Sequence, residues 1–465
     1  MAGFRRSLGT IEAFGFSLSI IAPTLAMAFA TTLTAQSAGR AAPLAYLIGG
    51  TIVTIVALSF VAFGRRVAHV GSVYAYVGSV LGPPCGFVAG WVLLLTYATL
   101  LAGSTAMVGN FGAAALGHIG VEGRSLWLII AVSGMLIAAW LTWRDIQLSA
   151  RVMLVLEFAS VLAILLLAIV ILIRVPLSLL PFKPEPGRGW TGVGFGIVFA
   201  VVSFAGFEGA TTLGEEAQHP VLSIPRAVIG TVIVASLFFV VVSYAQVVGY
   251  GLGHVQELGR ASVPLDKLST RFISGAYAGF LDFAATISAL ACAIGSLSAA
   301  ARMLYALSRV GLAPNLAAMD PKRGTPTRSI VVMSAVNLVC LLLWGARSDA
   351  TSYSGDIVTI GTLGLILVYI AVTGAQAIEA FRSRRPVWWM IGSLGAVLLL
   401  WPLGNSLYPA PPWPGDVWPY LVAAWLVLGV ALVFFHPSVT RSEFMSPRLG
   451  GDSGQESDFS SDLPL

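Results

Sequence analysis

Charge is what this chain has least of. Only 10% of its 465 residues are Asp, Glu, Lys or Arg, against about 25% in a soluble domain. An ordinary water-soluble globule is thereby excluded. Cysteine is scarce as well. Cys85, Cys292 and Cys340 form no C-x-x-C pair, so neither a disulfide framework nor a structural zinc site is encoded. All five histidines fall outside the apolar runs, which argues against a membrane-buried haem or metal. No cofactor is expected. A G-x-x-x-x-G-K-[ST] loop is absent, which disfavours a primary pump. Within the apolar runs there are no carboxylates paired at helical spacing and no histidine. A membrane-embedded enzyme would need a nucleophile–base pair or a metal cluster there. Rings of charge and repeated filter sequences, the marks of a channel, are missing too. The basic residues are scattered over short loops, so there is no nucleic-acid patch.

What the chain has is apolar length: 57% of it is hydrophobic. Twelve runs approach the ~20 residues that a bilayer core requires. They cover 14–35, 42–64, 86–112, 125–143, 150–173, 193–214, 226–250, 279–307, 328–346, 357–379, 387–404 and 417–435. The eleventh is the weakest, short and ending at Trp401-Pro402. The first is too long for a cleavable signal peptide, and no A-x-A site precedes a soluble domain. With the N-terminus inside, 17 of the 26 Lys and Arg fall on the cytoplasmic side. That bias predicts a multi-pass protein of the cell (inner or plasma) membrane with both termini cytoplasmic.

One stretch stands out, Phe204-Ala-Gly-Phe-Glu-Gly209 in the sixth run. A charge at mid-membrane costs about 2.5–3.5 kcal/mol even on the lenient insertion scale, and Glu208 sits there between Gly206 and Gly209. The pattern predicts a helix that breaks at bilayer depth. Such a break is tolerated only against protein or a water-filled cavity, so it marks a candidate binding site. In the first run Pro23 removes a backbone donor near mid-membrane. It signals either a simple kink or a second discontinuous helix. The two interruptions lie five runs apart, and an odd offset reverses direction, as an inverted five-plus-five repeat requires. Glu157, about two turns into the fifth run, is expected to pair with Arg151 or with a neighbouring helix. The eighth run is rich in Ala, Gly and Ser, which suits close helix packing in lipid; some of its hydroxyls are candidates to line a cavity.

The expected organisation follows. Residues 1–10 form a cytoplasmic N-terminus, 11–174 a first repeat and 175–192 an outer loop. Residues 193–385 form a second repeat, 386–436 two further helices, and 437–465 a disordered cytoplasmic tail. The polar 251–278 segment has room for a short surface helix.

Four stretches together resemble the amino acid–polyamine–organocation (APC) superfamily of transporters. They are Ser19-Ile-Ile-Ala-Pro23; Gly71-Ser-Val-Tyr-Ala-Tyr-Val with Leu81-Gly-Pro and Gly86-Phe-Val-Ala-Gly-Trp91; Phe204-Ala-Gly-Phe-Glu-Gly with Gly214-Glu-Glu-Ala-Gln-His-Pro220 and Ile224-Pro-Arg-Ala227; and Ala301–Pro314. The resemblance covers roughly residues 1–385 and implies an all-α integral membrane protein. Twelve transmembrane helices would include a five-plus-five inverted repeat, broken helices 1 and 6, and two extra helices. It implies a permease for amino acids or related amines, either a symporter or an exchanger. Many members carry Gly-Ser-Gly at the first break, where backbone N–H groups bind the substrate carboxylate. Ala22-Pro23-Thr24 stands there here. Proline has no N–H, so Thr24 and Leu25 are the donors left for an anion.

Substrate-binding candidates are therefore Ile21, Ala22, Pro23, Thr24 and Leu25, with Phe204, Ala205, Gly206, Phe207 and Gly209 across the site. Carbonyls near Phe204 and Ala205 would meet the amine. Phe204 and Phe207 either close over the ligand or pack in the core or against lipid. No unpaired acid besides Glu208 is clearly placed in the cavity, which leans the substrate toward neutral amino acids. Proton-coupled relatives place a lysine on helix 5; the matching position here is near Ser160, and span 5 has no lysine. With no sodium site specified, H+ is the expected coupling ion. Glu208 is the proton-carrier candidate, because burial disfavours a charged carboxyl; its alternative role is to hold the broken backbone.

Overall fold

The computed structural model describes residues 8–65, 72–144, 146–214, 216–320, 324–408 and 413–435. The expected basic N-terminal segment up to residue 7 and the expected tail 437–465 lie outside the described residues. Among these residues the regular structure is all helical, joined by turns and loops, apart from one isolated parallel bridge between Leu8 and Ala217. Eleven helical stretches are long and apolar enough to cross a membrane. The first, Thr10–Gly64, is 55 residues long and contains the first two apolar runs of the sequence. It is interrupted twice. Helix α1 (Thr10–Ile21) stops at Ala22, whose φ of 45° and ψ of 68° are left-handed. Helix α2 (Pro23–Leu25) then opens a π-turn, Ala26–Ala30, that continues into α3 (Thr31–Ala38). Gly39, at φ +61°, turns the chain into α4 (Ala42–Gly64).

A short helix α5 (Val73–Leu81) leads into α6 (Pro83–Gly117). Next come α7 (Leu126–Arg144), α8 (Ile146–Arg174) and α9 (Gly189–Ser203), the last followed by a 3-10 turn, Phe207–Leu213. The polar 251–278 segment holds two short helices, α11 (Val255–Leu258) and α12 (Pro264–Phe272), after the long α10 (Pro220–Tyr250). Helices α13 (Gly275–Arg309), α14 (Thr327–Leu343), α15 (Ala350–Arg382), α16 (Pro386–Leu407) and α17 (Trp418–Phe435) complete the bundle.

Three long helices form the middle. Helix α13 packs along α6, and α15 packs along the same partner. The small residues of α13 make this possible: nearly every position from Ala291 to Ser308 is buried. Helix α17 is pinned to α6 by a reciprocal pair. Trp91 Nε1 donates to the Trp425 carbonyl at 3.0 Å and Trp425 Nε1 to the Trp91 carbonyl at 2.9 Å, with the rings stacked 4.3 Å apart.

Helix ends differ from the apolar runs where polar residues belong to helices. Helix α15 starts at Ala350, ahead of the expected 357, because its polar first turns have places to go: the Ser354 hydroxyl donates to the Gly103 carbonyl, and Thr351, Ser352 and Asp356 face an open vestibule. Helix α16 runs through Pro402 to Leu407 rather than ending there. Just past Pro402, Asn405 Nδ2 donates to the Trp401 carbonyl and Ser406 Oγ to the Pro402 carbonyl.

Candidate functional site

The first break is built by a proline in the place that suits it. Pro23 is the first residue of the resumed helix, where its missing N–H would have had no intrahelical partner anyway. The next two N–H groups find partners on other helices. Thr24 N–H donates to Glu157 Oε1 of α8 at 3.1 Å, and Leu25 N–H donates to Ser288 Oγ of α13 at 3.2 Å. The Ser288 hydroxyl in turn donates to Glu157 Oε1 at 2.9 Å. Glu157 is fully buried, and its Oε2 has no hydrogen-bond partner among the described residues. The two donors that the sequence offered to a ligand are thus taken by protein groups, Thr24 by a carboxylate and Leu25 by the hydroxyl bonded to that carboxylate. Of the two partnerships expected for Glu157, the neighbouring helices supply the one described; the Arg151 side chain is outside the described set.

The second break is set by Gly206. Its φ is +109°, and an added Cβ would stand 2.3 Å from Ile20 Cγ2. Gly209 and Gly295 approach the same side chain, each 2.5 Å from an Ile20 atom if given a Cβ. Ile20 on α1 therefore sits in a socket of three glycines, which brings the two broken helices together. Ser17 ties them further: its hydroxyl donates to the Phe207 carbonyl and accepts from Ala210 N–H, both at 2.9 Å. Glu208 closes its own turn. Its Oε2 accepts from Gly206 N–H at 3.1 Å and from the Tyr369 hydroxyl at 2.9 Å, and Tyr97 is a further neighbour.

Between the breaks lies a cavity of about 60 Å³. Span 1 contributes Ile21, Leu25 and Phe29, and α9 with its break contributes Val202 and Ala205. Leu100, Met107 and Val358 complete a largely aliphatic wall, with Ser104, Ser203, Cys292 and Ser354 as its polar members. The Cys292 thiol donates to the Ile20 carbonyl at 3.1 Å. Phe29 borders this cavity and also a vestibule of about 910 Å³ toward one end of the bundle, lined by Gln36, Arg260, Ser262 and Asp356 among others.

Away from the vestibule lies a buried ion pair. Arg302 Nε donates to Glu216 Oε1 at 2.9 Å, with both side chains about 95% buried (3% and 5% exposed). Leu8 N–H donates to the Glu216 carbonyl, and Gln218 N–H donates to the Leu8 carbonyl. Removing one partner of a buried ion pair costs about 3–5 kcal/mol because the other is left uncompensated. Arg302→Met is therefore expected to lower the melting temperature, read by tryptophan fluorescence, by several degrees. An unchanged melting temperature would show that the pair contributes nothing to stability.

Of the candidates named from sequence, Ile21, Leu25 and Ala205 line the cavity. Ala22, Pro23, Gly206 and Gly209 shape the breaks, and Thr24 is bound to Glu157. Phe204 packs on Phe239 with centroids 4.9 Å apart, and Phe207 packs on Phe60 and Tyr369, each at 5.3 Å. Ser160 donates to the Ala284 carbonyl. Ser17, Tyr97, Ser288 and Tyr369 were not singled out. Polar side chains inside apolar runs were the available signal, yet many such residues bond back to their own helix, as Thr231 and Thr373 do.

Comparison with known proteins places this geometry. Residues 8–445 match the amino acid permease family. The branched-chain amino acid permease BcaP of Lactococcus lactis subsp. cremoris is 22% identical, covering 93% of this chain and 94% of its own length. The methylthioribose transporter of Bacillus subtilis is 23% identical over 87% of each chain. The low-affinity putrescine importer PlaP of Escherichia coli K12 is 26% identical over 64% of this chain and 66% of its own. The family and these relatives are transporters rather than enzymes. With its match running almost end to end, this chain belongs to the amino acid permease family.

Proposed function

We propose that the protein is a secondary active transporter that carries a neutral, aliphatic amino acid across the membrane by alternating access, coupled to protons in symport. The observation that carries this reading is the cavity shared by the two breaks. Its wall is aliphatic, and among relatives of similar length is a branched-chain amino acid permease. In this reading the chain has twelve spans, since Gly39 divides the 55-residue first stretch. The two broken spans belong to inverted halves, both termini face the cytoplasm, and the vestibule opens outward.

One observation favours a second reading. Glu157 and Ser288 already fill the donors that a substrate carboxylate would take, which suits an amine without a carboxylate, such as the putrescine in the name of one relative. Counterflow in proteoliposomes separates the two. Labelled leucine is expected to exchange against internal leucine and to be unaffected by excess putrescine. Exchange of putrescine without leucine would establish the second reading, and exchange of neither would remove both.

Proton coupling is proposed to use a carboxyl at membrane depth. Glu208 and Glu157 are the two at the breaks. Glu208 bonds within its own turn and to α15, whereas Glu157 bonds only to other spans. The geometry favours Glu157 as the mobile proton's seat and Glu208 as the group that holds the turn.

A further inference from the structure

We propose that His118, Asp266 and Asp282 form a binding site for a divalent transition-metal ion of the zinc class, at the end of the bundle where the vestibule opens. The three residues are far apart in sequence and come from three helices' ends: His118 caps α6, Asp266 is in α12, and Asp282 lies near the start of α13. One ligand atom from each falls within 4.8 Å of the others. His118 Nε2 is 3.1 Å from Asp282 Oδ2 and 3.9 Å from Asp266 Oδ1. A tetrahedral zinc ion about 2.0–2.2 Å from each ligand sets ligand atoms about 3.3–3.6 Å apart. The two separations from His118 bracket that span, and the two carboxylate oxygens lie within 4.8 Å of each other, so an ion enters as the side chains close on it.

Two further observations point to a cation. The first is charge. Two carboxylates meet one imidazole, the Asp282 side chain is 2% exposed, and no Lys or Arg nitrogen lies within 4.0 Å of either acid among the described residues. The nearby cations are committed elsewhere. Lys267 pairs with Glu257, Arg271 donates to the Gly249 carbonyl, and Arg174 donates to the Phe272 carbonyl. A buried carboxylate without a full counter-charge is costly, and a divalent ion removes that cost. The second is seating. The His118 ring lies against Gly279 of α13, where an added Cβ would come within 3.2–3.3 Å of the ring. The imidazole is therefore held in place by packing before any ion arrives. Imidazole with carboxylates suits zinc, copper or nickel, whereas magnesium prefers an all-oxygen shell with retained waters.

The site would act on the vestibule. Helix α12 follows Arg260, Ala261 and Ser262, which line that opening, and Asn110 of α6 donates to the Ser262 carbonyl at 3.2 Å. An ion tying α12 to α6 and α13 fixes the vestibule wall and slows its movement.

The test is titration of Zn2+ into tag-free full-length protein in detergent, followed by calorimetry, with Mg2+ as the control. One-to-one saturable Zn2+ binding is expected, weakened at least roughly tenfold in His118→Gln and in Asp266→Asn. Mg2+ is expected to give no saturable heat. Both substituted residues have side chains partly in solvent, so these variants keep the fold. In proteoliposomes, Zn2+ added on the vestibule side is expected to slow counterflow of whichever substrate is carried, and to spare the His118→Gln variant. No Zn2+ binding, equal binding in both variants, or equal Mg2+ binding each overturn the proposal. The calorimetric arm does not depend on the substrate, so its failure is separable from failure of the transport reading.

Discussion

Gly206→Leu is expected to reduce transport to the level of empty vesicles while the chain still inserts and elutes as a single species. Two physical effects act at this position. The φ of +109° lies where residues with a side chain are strained, and a left-handed backbone costs a non-glycine residue about 1–2 kcal/mol. The larger effect is steric. A Cβ here would be 2.3 Å from Ile20 Cγ2 and 2.6 Å from Ile20 Cβ, so α1 must move away from the second break. That motion separates the walls of the cavity, because Ile20, Ile21 and Ala205 all line it. Gly206→Ala retains the clash with less bulk and is expected to leave a small residual rate. Adding Ile20→Ala to Gly206→Ala removes the Cγ2 contact but leaves the residue-20 Cβ 2.6 Å away and the φ strained, so it is expected to recover little of the uptake. Wild-type uptake in Gly206→Leu, at matched insertion, would remove this crossing from the transport cycle.

The break at Gly206 was legible because glycine, glutamate and aromatic residues rarely meet inside an apolar run. The first break was half legible. Pro23 signals an interruption, but a kink and a full break look alike in letters. What decides is the left-handed Ala22, and nothing about alanine announces that conformation. Its neighbours impose it: Pro23 cannot donate, and Thr24 and Leu25 are held by groups from α8 and α13. Those partners lie 133 and 263 residues away, and no local period encodes contacts of that range. Phe204 and Phe207 show the same limit. An aromatic that closes a ligand site and one that packs in a core have the same composition, and only the placement of Phe239, Phe60 and Tyr369 tells where these two rings lie. The cluster at His118 was invisible for a different reason. Its residues come from three separate helices or their ends: His118 and Asp266 read as ordinary surface groups, and Asp282 as a lone acid at the edge of the eighth apolar run.

Glu157→Gln is expected to abolish the dependence of uptake on a pH gradient while preserving counterflow of an amino acid. As a carboxylate, Glu157 accepts charge-assisted bonds from Thr24 N–H and from Ser288, which are roughly twice as strong as neutral ones. Protonation weakens both and loosens the second half of span 1 from α8 and α13. In the proposed cycle it also loosens the Thr24 N–H, for which a substrate carboxylate then competes. One proton and one amino acid thereby favour each other's binding, and that mutual preference is what symport requires. Glutamine fixes the neutral condition: its carbonyl still accepts from Thr24, but no proton is exchanged. The variant should then equilibrate substrate without concentrating it. The amine reading gives the opposite result, because there Glu157 is the counter-charge of a cation and its loss removes binding altogether. Glu208→Gln is the paired control. Its amide oxygen can keep the bonds from Gly206 N–H and Tyr369, so uptake is expected to keep its gradient dependence at a reduced rate. If instead Glu208→Gln loses the gradient dependence and Glu157→Gln keeps it, the proton belongs on Glu208. Sodium-driven uptake indifferent to pH in the wild type would exclude both carboxyls as proton carriers.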